Sequence, residues 1–346
     1  MKRSFNRDDA FSLEIVDPAS KEKDPLQFFI EAGGSLFAFS GKSTFELLTA
    51  DTIDPRNTEP ETRHSYQKIF AVGVENSFVA RTIIQAKLLL DSLVLRTGLD
   101  KEQILDHVWD CTKLLIACEA SYYYIFTETT RLITECDEVI ERGKRGNHIP
   151  PLPQVNDLYQ HGSSFLGNAK RFLEKSHELL CIFYGAPNAG ANFRTYREWM
   201  LSNANDKNEI NDLLEQDKDW IRLISWCRNA LDINHSKNDF KLEIENFKMH
   251  PGNKFSPPCW RYDFTGEKGD IQEGYSDIIH DMNVHMSNML TFFEELFLLC
   301  LKDNWNISFN FGLFKKNAED IDPKCPTLYF ASINSDSVII GKPENS

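Results

Sequence analysis

The chain has 346 residues, enough for one large domain or two smaller ones, and its apolar content of 41% is ordinary for a globular protein. Its 52 acidic residues outnumber its 38 basic ones, and the net charge of −14 argues against a surface built for nonspecific nucleic-acid binding. The eight cysteines are scattered without a CxxC pair, which argues against a zinc knuckle and favours a reduced, cytoplasmic protein.

Residues 1–60 are predicted to be irregular chain with short strands. The first residues lack the apolar run of a signal peptide. Further along, the apolar stretches 28–30 and 36–39 flank Gly33 and Gly34. This pattern is typical of a hairpin with a glycine turn.

Residues 61–146 are predicted to form a long helical hairpin. Apolar side chains recur at helical spacing over about 62–96, which predicts the first helix. Asp100 can cap a second helix that continues to about residue 141. The prolines in the segment 142–153 cannot continue a helix, so this segment is the predicted linker to the next region.

Residues 155–302 are predicted to form a helical bundle. Helical patterns run over about 155–184, 192–203, 207–236 and 272–302. Between the last two, the segment 239–262 alternates in polarity and carries prolines, so it is interpreted as an extended excursion. Glu294 and Glu295 interrupt the apolar run of the last helix, so no membrane-spanning segment and no membrane partner are expected.

Residues 303–346 form a tail with short strands expected around 307–314, 328–333 and 338–340. No internal repeat stands out. Together the elements predict a mainly all-α fold: a multi-helix bundle with long antiparallel helices and short β segments at the N- and C-termini.

The strongest chemical signal is the run from Arg228 to His235, which follows an apolar helical pattern that includes Trp226. Residues seven apart lie two helical turns apart, so both side chains are expected on one helix face. A guanidinium can bind phosphate oxygens, and an imidazole can accept or donate a proton near neutral pH. Such a pair can cut a phosphodiester without a metal ion.

Two other Arg/His pairs occur at similar spacing, so the spacing alone is weak. One, Arg142 and His148, lies in the proline-rich linker, and the other, Arg171 and His177, has a spacing that puts the side chains on different helix faces. A structural interpretation also exists for the first pair. Asp232 lies between Arg228 and His235, so these three residues can form an ion-pair ladder on a helix surface.

The segment Trp226-Cys227-Arg228-Asn229, with His235 beyond it, resembles the HEPN superfamily over about residues 155–302, or 62–302 if the first hairpin belongs to the same bundle. The signature of that superfamily is Arg-x(4–6)-His, often with Asn, Asp or His directly after the Arg. The resemblance implies an all-α bundle that usually forms a homodimer in which two Arg/His pairs face one cleft.

In active members the resemblance also implies metal-independent endoribonuclease activity without a cofactor. RNA would be the partner and the ribose 2′-hydroxyl the nucleophile, leaving a cyclic phosphate end. Arg228 would stabilise charge on the scissile phosphate and His235 would act as general acid or base. Asn229 would orient the arginine or the phosphate through a hydrogen bond.

Two alternatives remain open at this point. The first is a non-catalytic interaction or regulatory module that binds a protein partner through a last helix bearing Met282, Met286 and Met289. The second is a di-metal carboxylate bundle, which needs acid-x-x-His motifs on two helices and acids from others. Its residues would be Glu174 with His177, Asp277 with His280, and Glu119 or Glu128; further matches occur at Glu61 with His64 and at Asp232 with His235.

Overall fold

The structure is a computed structural model that describes residues 23–185, 208–231, 240–265, 271–306 and 311–333, together with positions 195, 198, 199 and 202. Contacts between Cα atoms divide the chain into two compact units. The first takes residues 1–112, 179–185 and 297–346, and the second takes residues 113–178 and 186–296.

Long helices provide most of the regular structure. They are α4 (Lys101–Lys144), α5 (Leu158–Tyr184), α6 (Asn208–Leu231) and α7 (Ile278–Asn304), and the short α1 (Ala50–Ile53), α2 (Ser77–Val79) and α3 (Gln85–Ser92) precede them. A π-helical turn, Ala80–Ile84, joins α2 to α3. The predicted cap of α4 is confirmed, because the Asp100 carboxylate accepts a hydrogen bond of 2.9 Å from the Glu102 amide.

The first unit contains a four-stranded antiparallel sheet in the order β1-β2-β3-β4. Its strands are β1 (Phe28–Ala32), β2 (Ser35–Phe39), β3 (Thr44–Leu48) and β4 (Ser65–Phe70). The predicted β1–β2 hairpin is confirmed, with Gly33 and Gly34 at positive φ in its turn. Trp109 of α4 packs against this sheet, with ring centroids 4.8 Å from Phe37 and 5.8 Å from Phe39.

The second unit contains a three-stranded antiparallel sheet in the order β5-β8-β9 and a separate hairpin, β6-β7. These strands are β5 (Phe240–Glu245), β6 (Lys248–His250), β7 (Lys254–Ser256), β8 (Cys259–Thr265) and β9 (Ile271–Asp277). One face of the sheet lies on α5: a Cβ built at Gly162 would come within 2.8 Å of Ile244 and 3.3 Å of Trp260. Glycine at this position lets the helix approach the sheet closely.

The predicted fold class is wrong. Of the described residues, 55% are helical and 20% lie in strands, which form four sheets rather than trim at the two ends of a bundle. The extended segment predicted over 239–262 pairs with β9, whose residues overlap the start of the helix predicted over 272–302. β9 lacks a strand pattern because it is an edge strand: Glu273, Tyr275 and Asp277 on one side are exposed, and the other side carries Gly274 and Ser276.

The first predicted helix, over 62–96, is also partly wrong. Its beginning is strand β4, which pairs with β3 so that Tyr66 lies opposite Leu47. Apolar residues in β4 and in the turn after it happen to fit a helical spacing, and helix begins only at Ser77. In the described part of the tail, β10 (Phe311–Lys315) pairs antiparallel with β11 (Tyr329–Ile333), whereas the predicted strand at 338–340 lies outside the described residues.

Among the described residues, α7 alone is long and apolar enough, by length and composition, to cross a membrane. Core helices of soluble proteins meet the same criteria, and 61% of the most apolar 18-residue stretch of α7 is buried inside the protein. Met282, Met286 and Met289 are among its buried side chains. The apolar side predicted for this helix is therefore part of the core.

Candidate functional site

Arg228 lies on the inward face of α6. The helix is amphipathic: Ile221 and Ile224 are buried, whereas Leu223 is 40% exposed. Arg228 follows Ile224 by four residues and Ile221 by seven, so it continues the buried face, and it is itself half-buried. The chain therefore directs this guanidinium toward the neighbouring helix and away from the outer surface of α6.

This face of α6 contacts α5 at Gly167. The Nε atom of Arg228 lies 3.8 Å from the position that a Cβ of Gly167 would take. This is an ordinary van der Waals separation, so a methyl group would fit at position 167, whereas a longer side chain would enter the space that the guanidinium group uses. A glycine inside a helix is unfavourable by about 1 kcal/mol relative to alanine, and the packing of Arg228 does not by itself require it.

Asn229 also turns toward α5. Its Oδ1 accepts a hydrogen bond of 3.2 Å from Nζ of Lys170, one turn after Gly167. Lys170 in turn lies 4.0 Å from the Glu174 carboxylate on its own helix. Two cations and one amide therefore line a seam between α5 and α6, with the Glu174 carboxylate beside Lys170.

Lys170 was not predicted from the sequence. It is separated from Asn229 by 59 residues, and nothing in its surroundings in the sequence marks it as part of a site. No pattern of spacing can connect the two residues, because only the packing of α5 on α6 brings them together.

The predicted proton carrier, His235, lies outside the described residues, as does Asp232, because the described part of α6 ends at Leu231. The structure therefore brings Arg228 and Asn229 together with Lys170. That Arg228 and His235 share a helix face stays a prediction.

Trp226 and Arg222 occupy the outer face of α6. The Trp226 ring is 50% exposed, and the guanidinium carbon of Arg222 lies 4.8 Å from the ring centroid. This is a cation–π arrangement. Arg222 is therefore a cation of the same helix that lies away from the seam, which makes it a suitable control for Arg228.

Cys227 adjoins the motif but does not resemble a nucleophile. Burial, and to a smaller extent the negative charge of Asp281, raises the pKa of its thiol to about 12. A thiol with this pKa stays protonated near neutral pH, and only the thiolate is nucleophilic. The interpretation of Cys227 as a structural thiol is supported, and none of the eight cysteines forms a disulfide bond.

Arg171 and His177, another of the Arg/His pairs, differ in burial. Arg171 is exposed, whereas His177 is 2% exposed. Burial lowers the pKa of His177, and the nearby Glu178 carboxylate only partly opposes the shift. An exposed arginine and a buried neutral imidazole do not form a phosphate site.

Three residues of the di-metal alternative have other partners. Glu128 bridges to Arg131 at 2.7 Å, and Asp277 accepts hydrogen bonds from two backbone amides, 2.8 Å from that of Ile279, at the start of α7. Glu174 faces Lys170. Within the described ranges, no group of three or more His, Cys, Asp or Glu residues is placed to hold a metal ion.

Comparison of the chain with protein-family models, with curated proteins and with solved structures finds no match. The resemblance to the HEPN superfamily therefore rests on the Arg228 motif and its helical setting. The region of resemblance, residues 155–302, also contains the sheet β5-β8-β9, which an all-α bundle does not have.

Proposed function

We propose that the chain is a metal-independent endoribonuclease that cleaves RNA with Arg228 and His235. The observation that supports this proposal is the placement of Arg228: it is half-buried on the inward face of α6, beside Gly167. A guanidinium held in this way is preorganised, and preorganised cations stabilise the charge that develops on a phosphate in a transition state. An exposed surface arginine gains no such advantage.

The reaction needs one cation and one proton carrier. The imidazole of His235 takes the proton of the ribose 2′-hydroxyl, whose oxygen forms a new bond to phosphorus while the bond from phosphorus to the 5′-oxygen breaks. The departing 5′-oxygen takes up a proton from water, the imidazolium of His235 returns its proton to water, and the other product ends in a cyclic phosphate. Arg228 stabilises the negative charge on the phosphate, and Asn229 donates a hydrogen bond to a phosphate oxygen.

The acidic character of the chain bears on its choice of substrate. A net charge of −14 repels nucleic acid in general, so affinity has to come from a local positive site. The resemblance implies a homodimer, in which two copies of the seam would face one cleft and raise the local positive charge. We therefore expect a selective cytoplasmic RNase with weak binding to bulk nucleic acid.

A cleavage assay tests the proposal. Mixed cellular RNA is incubated in EDTA with wild type, Arg228→Ala, His235→Ala and the control Arg222→Ala. Wild type and Arg222→Ala should produce fragments with cyclic phosphate ends. The other two variants should be slower by about a hundredfold or more, since each removes one catalytic group.

Thermal unfolding of all four proteins accompanies the assay, so that loss of activity is separated from loss of fold. The proposal fails if wild type leaves RNA intact, or if Arg228→Ala and His235→Ala cleave as fast as wild type.

A non-catalytic interaction module is the alternative if wild type is inactive. Its earlier candidate surface is excluded, because Met282, Met286 and Met289 are buried. The outer face of α4 is the surface that favours an interaction module instead. Its side chains Tyr123, Phe126 and Ile133 are exposed and lie on one side of the helix.

A further inference from the structure

The hydrogen bond between Lys170 and Asn229 fixes the orientation of an amide. An ammonium group only donates hydrogen bonds, so the group of Asn229 that faces Lys170 at 3.2 Å has to be the carbonyl oxygen. The amide nitrogen Nδ2 consequently points away from Lys170. The two N–H groups of Asn229 therefore do not face that lysine and can donate to another acceptor.

Lys170 also has an acidic neighbour on its own helix. Its Nζ lies 4.0 Å from the carboxylate of Glu174, one turn further along α5, and its side chain is 36% exposed. Gly167, one turn before it, accommodates Arg228. Along one side of α5, Gly167 therefore leaves space for a guanidinium, Lys170 supplies an ammonium group and Glu174 supplies a carboxylate.

We propose that Lys170 is a positioning residue of a phosphate-binding site. Its ammonium holds Asn229 so that Nδ2 donates to a phosphate oxygen bound by Arg228, and it adds a second positive charge beside that phosphate. The ligand is a backbone phosphate of single-stranded RNA. This inference rests on the proposed function for the identity of the ligand, but the binding step that it describes does not require cleavage.

The test therefore measures binding separately from catalysis. The probe is a fluorescent 2′-O-methyl oligoribonucleotide, which carries the phosphates but lacks the nucleophilic hydroxyl. Its Kd is measured by anisotropy across a range of salt concentrations for wild type, Lys170→Met and Lys170→Arg. Loss of one phosphate contact lowers the slope of log Kd against log salt by about 0.7 for a single strand.

The control is Lys175→Met. Lys175 is also a half-buried lysine of α5 with an acidic neighbour on the same helix, Glu178, at 2.9 Å. Its removal takes away the same charge from the same helix but leaves the seam intact. Lys170→Met should weaken binding and lower the salt slope, Lys170→Arg should restore both, and Lys175→Met should match wild type.

The outcomes separate this inference from the proposed function. If wild type cleaves RNA and Lys170→Met behaves as Lys175→Met does, the role of Lys170 is overturned while the nuclease stands. If wild type does not cleave but Lys170→Met alone weakens probe binding, the phosphate site stands without the nuclease. Absence of probe binding by folded wild type overturns the inference.

With cleavable RNA, Lys170→Met should raise KM more than it lowers kcat, because the lysine acts on binding through Asn229. A fall in kcat with an unchanged KM would contradict a positioning role. If Lys170→Met does not fold, the comparison rests on Lys170→Arg and Lys170→Gln, which keep a polar group at the position. If Lys170→Arg loses as much affinity for the probe as Lys170→Gln does, the inference is also overturned.

Discussion

Arg228 and Arg222 belong to the same helix, but six residues turn their side chains by about 120° relative to each other. Arg222 consequently lies over the exposed ring of Trp226, whereas Arg228 packs beside Gly167. The face of the helix, rather than the residue type, separates a surface cation from a candidate site. At the residue scale, Gly167 is therefore as informative as the arginine that it accommodates.

Substitution of Gly167 tests this space. Gly167→Ala should be tolerated and should stabilise the protein by up to about 1 kcal/mol, because its Cβ would lie at an ordinary 3.8 Å from Nε of Arg228. Gly167→Leu extends further and should displace the guanidinium, so it should abolish RNA cleavage. Denaturant unfolding and the cleavage assay measure the two effects, and full activity of the leucine variant would show that this space is not used.

The sheet β5-β8-β9 is held together differently on its two faces. On one face Arg261 of β8 bridges to Glu243 of β5 at 2.8 Å and to Glu273 of β9 at 2.6 Å. On the other face the Tyr262 ring covers Gly274, its opposite residue on β9. At the scale of the element, cross-strand pairs therefore fix the register of an edge strand whose own sequence carries little β signal.

The pair Tyr262 and Gly274 gives a prediction for the sheet. A Cβ at position 274 would lie 2.2 Å from the Tyr262 ring, so Gly274→Ala has to displace the ring and should destabilise the protein by about 1–3 kcal/mol. In a Tyr262→Ala background the same change should be neutral or stabilising. A double-mutant cycle by urea unfolding measures the coupling, and additive effects of the two changes would contradict the contact.

Stability of the whole molecule should depend on two buried histidines. Burial lowers the pKa values of His177 and His285, and nearby carboxylates oppose the shift only partly. Below the ordinary value of 6.5 the unfolded chain binds protons that the folded chain does not. These residues therefore carry no proton-linked penalty well above pH 6.5, and the free energy of unfolding should fall as the pH falls below that value.

This decrease should be at most about 1.4 kcal/mol per pH unit for each histidine. Urea unfolding between pH 7.5 and 5.5 measures it for wild type, His177→Gln, His285→Gln and the control His280→Gln, in which an exposed residue of α7 is changed. For His177→Gln and His285→Gln the free energy of unfolding should depend less steeply on pH. For the control His280→Gln it should depend on pH as in wild type. Equal slopes in all four proteins would exclude burial of the neutral imidazoles as the cause.

Local patterns determined several features without the structure. The glycine turn of the β1–β2 hairpin and the capping of α4 by Asp100 were correctly predicted, because turns and helix starts depend on a few adjacent residues. Most of α7 was predicted to be helical as well, since amphipathic periodicity is a local property. The same reasoning singled out Arg228 and Asn229.

The tertiary structure alone decided the rest. Strand β9 gains its conformation from pairing with β8, and its own residues do not show the alternation that predicts a strand. The seam required the packing of α5 on α6, which brings Lys170 to Asn229 and Gly167 to Arg228. Periodicity in a sequence reports which face of an element is apolar, but it carries no information about which residues of a distant element that face will meet.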